Sequence, residues 1–157
     1  MSSSSLLKAH GIAVELPPGW EGRIYRREGG DPTLHAASFA LPHADGDFGS
    51  VATARIPAGG GFFSLTEYRP GRRLVPGKGL FASTEIPLPL DPRNFDPRAL
   101  HIGRRGQAGF QHFFTADGRP FCLYAVLSTK TAPHAGVTKP KARLGEVNHV
   151  LSSVAFG

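Results

Sequence analysis

The chain has 157 residues, 40% apolar and 19% charged, with 20 Gly, 14 Pro and a formal net charge of +6. That length suits one domain around one core, no apolar run approaches the roughly 20 residues that cross a bilayer, and Met1-Ser2-Ser3-Ser4-Ser5-Leu6-Leu7-Lys8 lacks the charged and apolar regions of a secretory signal. A soluble cytoplasmic protein is expected, and its one cysteine, Cys122, excludes an intrachain disulfide and a multi-cysteine zinc site.

Residues 1–8 read as a flexible N-terminal tail and 9–157 as a single α+β domain. Apolar and polar residues alternate through most of the chain between Gly and Pro stops, the period of half-buried strands. Ile12, Val14 and Leu16 point one way, with Ala13 and Glu15 the other. Pro17-Pro18-Gly19-Trp20 ends that strand, because Pro gives no amide hydrogen to a ladder and Gly accepts positive φ. Further strands are expected over 23–27 and 35–41. After a polar loop over 43–50, segments 51–56 and 62–68 read as a hairpin across Pro57-Ala58-Gly59-Gly60-Gly61.

Residues 69–105 change character. They carry eight Lys or Arg against three Asp or Glu, whereas residues 1–68 carry five against seven. The positions are Arg69, Arg72, Arg73, Lys78, Arg93, Arg98, Arg104 and Arg105, in a Pro/Gly-rich stretch expected to form surface loops. A short strand is expected over 80–83, while Pro87, Pro89, Pro92 and Pro97 oppose a long ladder. Asp96-Pro97 reads as an N-cap with Pro in the first helical position, starting a short helical turn through Leu100.

Near the end, 109–115 and 121–127 alternate on either side of Ala116-Asp117-Gly118-Arg119, whose Asp-Gly pair favours a tight hairpin. Phe113 lies on one face and Phe110, His112 and Phe114 on the other, so a central hairpin covered on both sides is expected. Over 141–151, Leu144, Val147, Val150 and Leu151 form one helical stripe, and 152–156 returns as a strand. The sum is α+β: a mostly antiparallel sheet of about six to seven strands with a C-terminal helix packed on one face.

The strand ending in Leu16-Pro17-Pro18-Gly19-Trp20, the aromatic strand Phe121-Cys122-Leu123-Tyr124-Ala125-Val126-Leu127, and the last helix leading into Ser153-Val154-Ala155-Phe156 together resemble the PsbP-like superfamily. Gly106-Gln107-Ala108-Gly109-Phe110-Gln111 with Phe113-Phe114 and Gly118-Arg119-Pro120-Phe121 is similar to uncharacterised actinobacterial proteins of this length. The superfamily resemblance implies an α/β/α sandwich serving as a binding or assembly module. No lipoprotein signal or photosystem context accompanies it, so those roles are not carried over.

Catalytic chemistry has little to stand on. His43-Ala44-Asp45-Gly46-Asp47 lacks the distant Glu of a calcium loop and the Gly such a loop requires after its third ligand, and reads as a polar turn. His112 between Phe110 and Phe114 reads as a core or boundary histidine. His35 shares a face with Ala37, Phe39 and Leu41 and caps a core edge, while His149 faces solvent. Cys122 reads as an inert packing thiol. Gly59-Gly60-Gly61 lacks the Lys-Ser/Thr of a phosphate loop. A pI of about 10.0 meets the first criterion for nucleic-acid binding, but the aromatics near Arg104 and Arg105 fall on both strand faces rather than one exposed face. The leading expectation is a noncatalytic protein-interaction module, a subunit or adaptor docking on a larger protein assembly through Arg72, Arg73, Arg104 and Arg105, with Trp20 and Phe95 as aromatic anchors. It assigns no catalytic or metal-binding residue, no cofactor and no membrane insertion. The alternative is a small-ligand-binding protein or enzyme with a pocket between sheet and helix, with His112 at its wall. Nucleic-acid binding through the basic loop ranks third.

Overall fold

The computed structural model describes residues 3–26, 28–130 and 139–157. Among the described residues, eight strands form two antiparallel sheets. β1 (Ser5–Ala9), β2 (Ile12–Leu16) and β8 (Ala155–Phe156) make the smaller one in the order β1-β2-β8. β3 (Glu21–Arg26), β4 (Pro32–Ala37), β5 (Gly61–Glu67), β6 (Gln107–Ala116) and β7 (Arg119–Ser128) make the larger, in the order β3-β4-β5-β7-β6. The α+β class and antiparallel pairing agree with the sequence, but the strands are divided between two sheets instead of forming one. Residues 5–8, assigned from sequence to a tail, belong to β1, where Leu7 pairs with Val14. Arg27, the end of the expected strand 23–27, lies outside the described residues, as do Met1 and Ser2.

The five-stranded sheet has two differently covered faces. Leu34, Phe63, Leu65, Phe114, Phe121, Leu123 and Ala125 face the smaller sheet and α2 (Pro140–Ser152), whose Leu144, Val147, Val150 and Leu151 stripe is buried against them as expected. Ala37, Phe62, Tyr124 and Val126 face the other way, beneath α1 (Ser50–Ala54), Leu41 and Phe48. His35 is fully buried on this second face, inside the core rather than at its edge.

The helix α1 replaces the strand expected over 51–56, because tertiary hydrogen bonds override a β-branched local sequence. The Asp45 carboxylate accepts from the amides of Val51 (2.9 Å) and Ala52 (2.8 Å), satisfying donors that a helix start leaves open. Gln107 Nε2 donates to the Thr53 carbonyl at 2.7 Å at the other end. Gly49 precedes the helix at φ +69 directly over the Phe62 ring, where a side chain would clash. The expected strand over 80–83 is also corrected: Gly79–Phe81 is a 3-10 turn. The Asp96 turn forms as expected, with the Asp96 carboxylate accepting from the Arg98 amide.

The late hairpin forms in register, Phe113 opposite Cys122, with Asp117 and Gly118 at its turn. Only β7 is interior and buried on both faces; β6 is an edge strand on which Gln111 is exposed and Phe110, His112 and Phe113 are half-buried, so the hairpin is not central throughout. An open edge invites pairing with another chain, and here the Pro/Arg-rich segment lies along it. Gly109 exchanges two main-chain bonds with Asp96 (2.9 and 3.0 Å), and the Thr115 amide donates to the Ser83 carbonyl at 2.8 Å. Proline-rich sequence that cannot build a ladder instead touches the edge at separate points. Gly109 permits that closeness, since a Cβ there would meet Leu100 at 3.0 Å.

Candidate functional site

The basic residues singled out from sequence are separated by this arrangement. Arg72 and Arg73 are exposed in the segment after β5 and, among the described residues, join no ion pair. Lys78 is exposed and equally without an ion-pair partner among those residues. Arg104 is engaged instead, donating to Thr53 Oγ1 at 2.7 Å and to the Ser50 carbonyl at 3.1 Å, so its guanidinium fastens α1 to the start of β6. Arg105 beside it is exposed. Gln107, two residues after Arg105, is six residues along β6 from Phe113, which lies beside Arg73 at a shared cavity. At the strand rise this is about 20 Å, so Arg72/Arg73 and Arg104/Arg105 do not form one cluster.

The two aromatics also part company. Trp20 is 7% exposed and packed near Phe63, with Nε1 donating to Glu146 Oε1 at 2.9 Å. Its ring joins the turn after β2 to α2 within the core. Phe95 is half-buried, 6.0 Å from the Phe110 ring, and lines a cavity of about 410 Å³ with Ala108, Leu127 and Leu144, between the sheet and the N-terminal end of α2.

The site with the most distinctive lining was not assembled from sequence. Tyr68, at the end of β5, Phe81 in its 3-10 turn and Phe113 on β6 converge, with ring centroids 5.8 Å (Tyr68 to Phe81), 5.4 Å (Phe81 to Phe113) and 6.4 Å (Tyr68 to Phe113) apart. They line a cavity of about 420 Å³ together with Leu74, Val75 and Leu80, and Arg73 and Lys78 complete the lining. Beneath it, Gln111 Nε2 donates to Cys122 Sγ at 3.5 Å, and burial raises the pKa of Tyr68 and of Cys122. The thiol is therefore held in its neutral form, a poor nucleophile. The available sequence signal was Phe113, placed on the face opposite Phe110, His112 and Phe114; its partners lie 32 and 45 positions earlier in the chain.

His112 has a serine neighbour, Ser83 Oγ at 3.2 Å from Nε2. The same Nε2 lies 3.0 Å from the Glu85 carbonyl oxygen, which can only accept, so the ring hydrogen points there. Ser83 Oγ also donates to that carbonyl at 3.0 Å. His112 thus latches residues 83–85 onto β6 while the Ser83 hydroxyl closes a turn within that segment, and the ring does not sit as a base for the serine. Stacking between Phe110 (6.2 Å) and Phe114 (5.9 Å) fixes its plane. The polar turn over 43–47 is equally committed, with the Asp45 carboxylate holding α1 and the Asp47 carbonyl oxygen 3.0 Å from His35 Nε2 and 3.3 Å from Thr66 Oγ1.

In comparisons with protein-family models, with curated proteins and with solved structures, the chain matches none.

Proposed function

We propose that this protein is a noncatalytic interaction module that docks on a larger protein assembly through the segment following β5, with Arg72, Arg73 and Lys78 as its charged contacts. The observation that carries the reading is the company these cations keep. They have no ion-pair partner among the described residues, and they flank Val75 and Leu80, which are 40% and 65% exposed. Arg heads beside exposed apolar side chains are the composition of an interface centre. The polar groups near His112, Asp45 and Arg104 hold loops to the sheet, whereas Arg72, Arg73 and Lys78 are left exposed for contact. The resemblance of the Pro17–Trp20 turn region and the final helix to the PsbP-like superfamily points the same way, since that resemblance implies a binding or assembly role.

A partner captured stoichiometrically from the native host, and retained in high salt, is expected to be lost from the double variant Arg72→Glu/Arg73→Glu while circular dichroism and Tm stay unchanged. Equal capture by both forms removes these residues from the interface. Recovery of only salt-sensitive nucleic acid favours the basic-loop alternative. A second reading, a small-ligand protein using the sheet–helix cavity, draws on one specific observation: Phe95, Ala108, Leu127 and Leu144 leave about 410 Å³ there, within the size range of ligand pockets.

A further inference from the structure

We infer that the cavity under the segment after β5 is a binding site for a small organic acid with an apolar body. The inference goes beyond the docking reading: it shares Arg73, Lys78, Val75 and Leu80 with that surface but assigns them to the cavity they line, and its test needs no partner protein.

Three features specify the ligand class. The volume, about 420 Å³, lies in the range of small-molecule sites. The floor and walls are Tyr68, Phe81 and Phe113 with Leu74, Val75 and Leu80. The Tyr68 ring packs against Phe81 and Phe113, so the lining there offers ring surface and alkyl groups. Such a surface gains by removing a ring or branched chain from water. The charged groups in the lining are both cations, Arg73 and Lys78, and among the described residues no Asp or Glu lines the cavity. A guanidinium fork and an ammonium beside an apolar chamber match a carboxylate attached to an apolar body. A free inorganic anion would leave the chamber unfilled, and a neutral hydrocarbon would leave both cations without a partner. The sheet-side floor is set by packing: Phe81 and Phe113 meet edge to face at 89°, and Thr115 Oγ1 donates to the Phe81 carbonyl at 2.8 Å. The chamber is therefore formed before a ligand arrives, which lowers the ordering cost of binding.

The test is titration of the ¹⁵N-labelled full chain with 3-phenylpropanoate, followed by amide NMR shifts, with 3-phenylpropanamide and propanoate as the charge-free and ring-free controls. Saturable shifts confined to residues 68–81 and around Phe113 are expected, with a dissociation constant of about 1 mM or tighter, and binding by each control weaker by roughly tenfold. Lys78→Glu and Leu80→Asp change exposed side chains, so folding is spared; each is expected to weaken binding by about tenfold, while Arg105→Glu leaves it unchanged. Absence of saturable shifts, shifts centred on the Phe95 cavity, equal binding of the amide, or indifference to both Lys78→Glu and Leu80→Asp overturns the inference. Because this readout uses the purified protein, its failure leaves the loss of partner capture in Arg72→Glu/Arg73→Glu standing, and the reverse holds as well.

Discussion

The two faces of the five-stranded sheet solve the burial problem by different means. Towards α2 and the smaller sheet, Leu34, Phe63, Leu65, Phe121 and Leu123 present hydrocarbon to hydrocarbon. Towards α1, the same strands present Thr33, His35, Ser64, Thr66, Cys122 and Tyr124, all buried. The first face is held by area removed from water. The second must also satisfy polar groups, and it does so by fixing loops: His35 and Thr66 hold the Asp47 carbonyl, and the Tyr124 hydroxyl accepts from the His101 amide at 2.9 Å. An apolar face can take any element with a complementary stripe, whereas a polar face requires particular backbone groups at particular points. That is why the cover on the α1 side is irregular, and why the cavity floored by Tyr68 and Phe113 opens there.

Substitutions ranked by size sharpen this contrast. Phe63→Ala, on the α2 face, removes a fully buried ring and is expected to cost about 3–5 kcal/mol in urea denaturation; a cost under 1 kcal/mol would mean that this face is loosely packed. Arg119→Ala comes next. Arg119 pairs with Glu67 Oε1 at 2.6 Å and donates to the Gly11 and His10 carbonyls at 2.9 and 3.1 Å, tying the large sheet to the turn between β1 and β2. Its loss is expected to cost about 2 kcal/mol, with faster hydrogen exchange in β1 and β2. If β1 and β2 keep their protection, the smaller sheet is secured by apolar packing alone.

On the α1 face, Ser64 Oγ is buried without a hydrogen-bond partner among the described residues. Ser64→Ala is therefore expected to leave stability unchanged or raise it by up to about 1 kcal/mol, and a clear loss in the same denaturation assay would reveal a partner for the hydroxyl. The smallest effect concerns pH. His101 is exposed overall, but its ring packs against Phe48 and Tyr124, each with its ring centroid 4.2 Å away, and this partial desolvation lowers its pKa below its ordinary 6.5. Above the unfolded pKa the ring is neutral in both states and its contribution to stability is complete. As pH falls below 6.5 the unfolded chain takes up the proton first, so that contribution is lost progressively towards the lower folded pKa. The Tm of His101→Phe is expected to fall less between pH 7 and 5 than that of the parent chain, and parallel curves would contradict a folded-state shift.

The α2 face was the more legible of the two. Alternation at Ile12, Val14 and Leu16 and the stripe Leu144, Val147, Val150 and Leu151 each identify one buried side, because apolar periodicity records burial directly. The Asp117-Gly118 turn and the Asp96 cap were readable for a similar reason, since each depends on residues next to one another in the chain. By contrast, α1 was misread as a strand: Val51 and Thr53 favour β structure locally, and the groups that make them helical are Asp45, Arg104 and Gln107. Two of those three lie about fifty residues away in sequence.

The sequence by itself determined the antiparallel α+β class, the late hairpin, the final helix and the basic bias of residues 69–105, all of which follow from nearest neighbours, periodicity or charge counts. Tertiary structure alone decided that the strands divide into two sheets and that Arg104 serves α1 while Arg72, Arg73 and Lys78 stay free of ion pairs among the described residues. It also decided that Tyr68, Phe81 and Phe113 line one open cavity. The physical reason is common to all three: each depends on contacts between segments brought together only when the sheet forms, and the pattern of one segment carries no record of its distant partner.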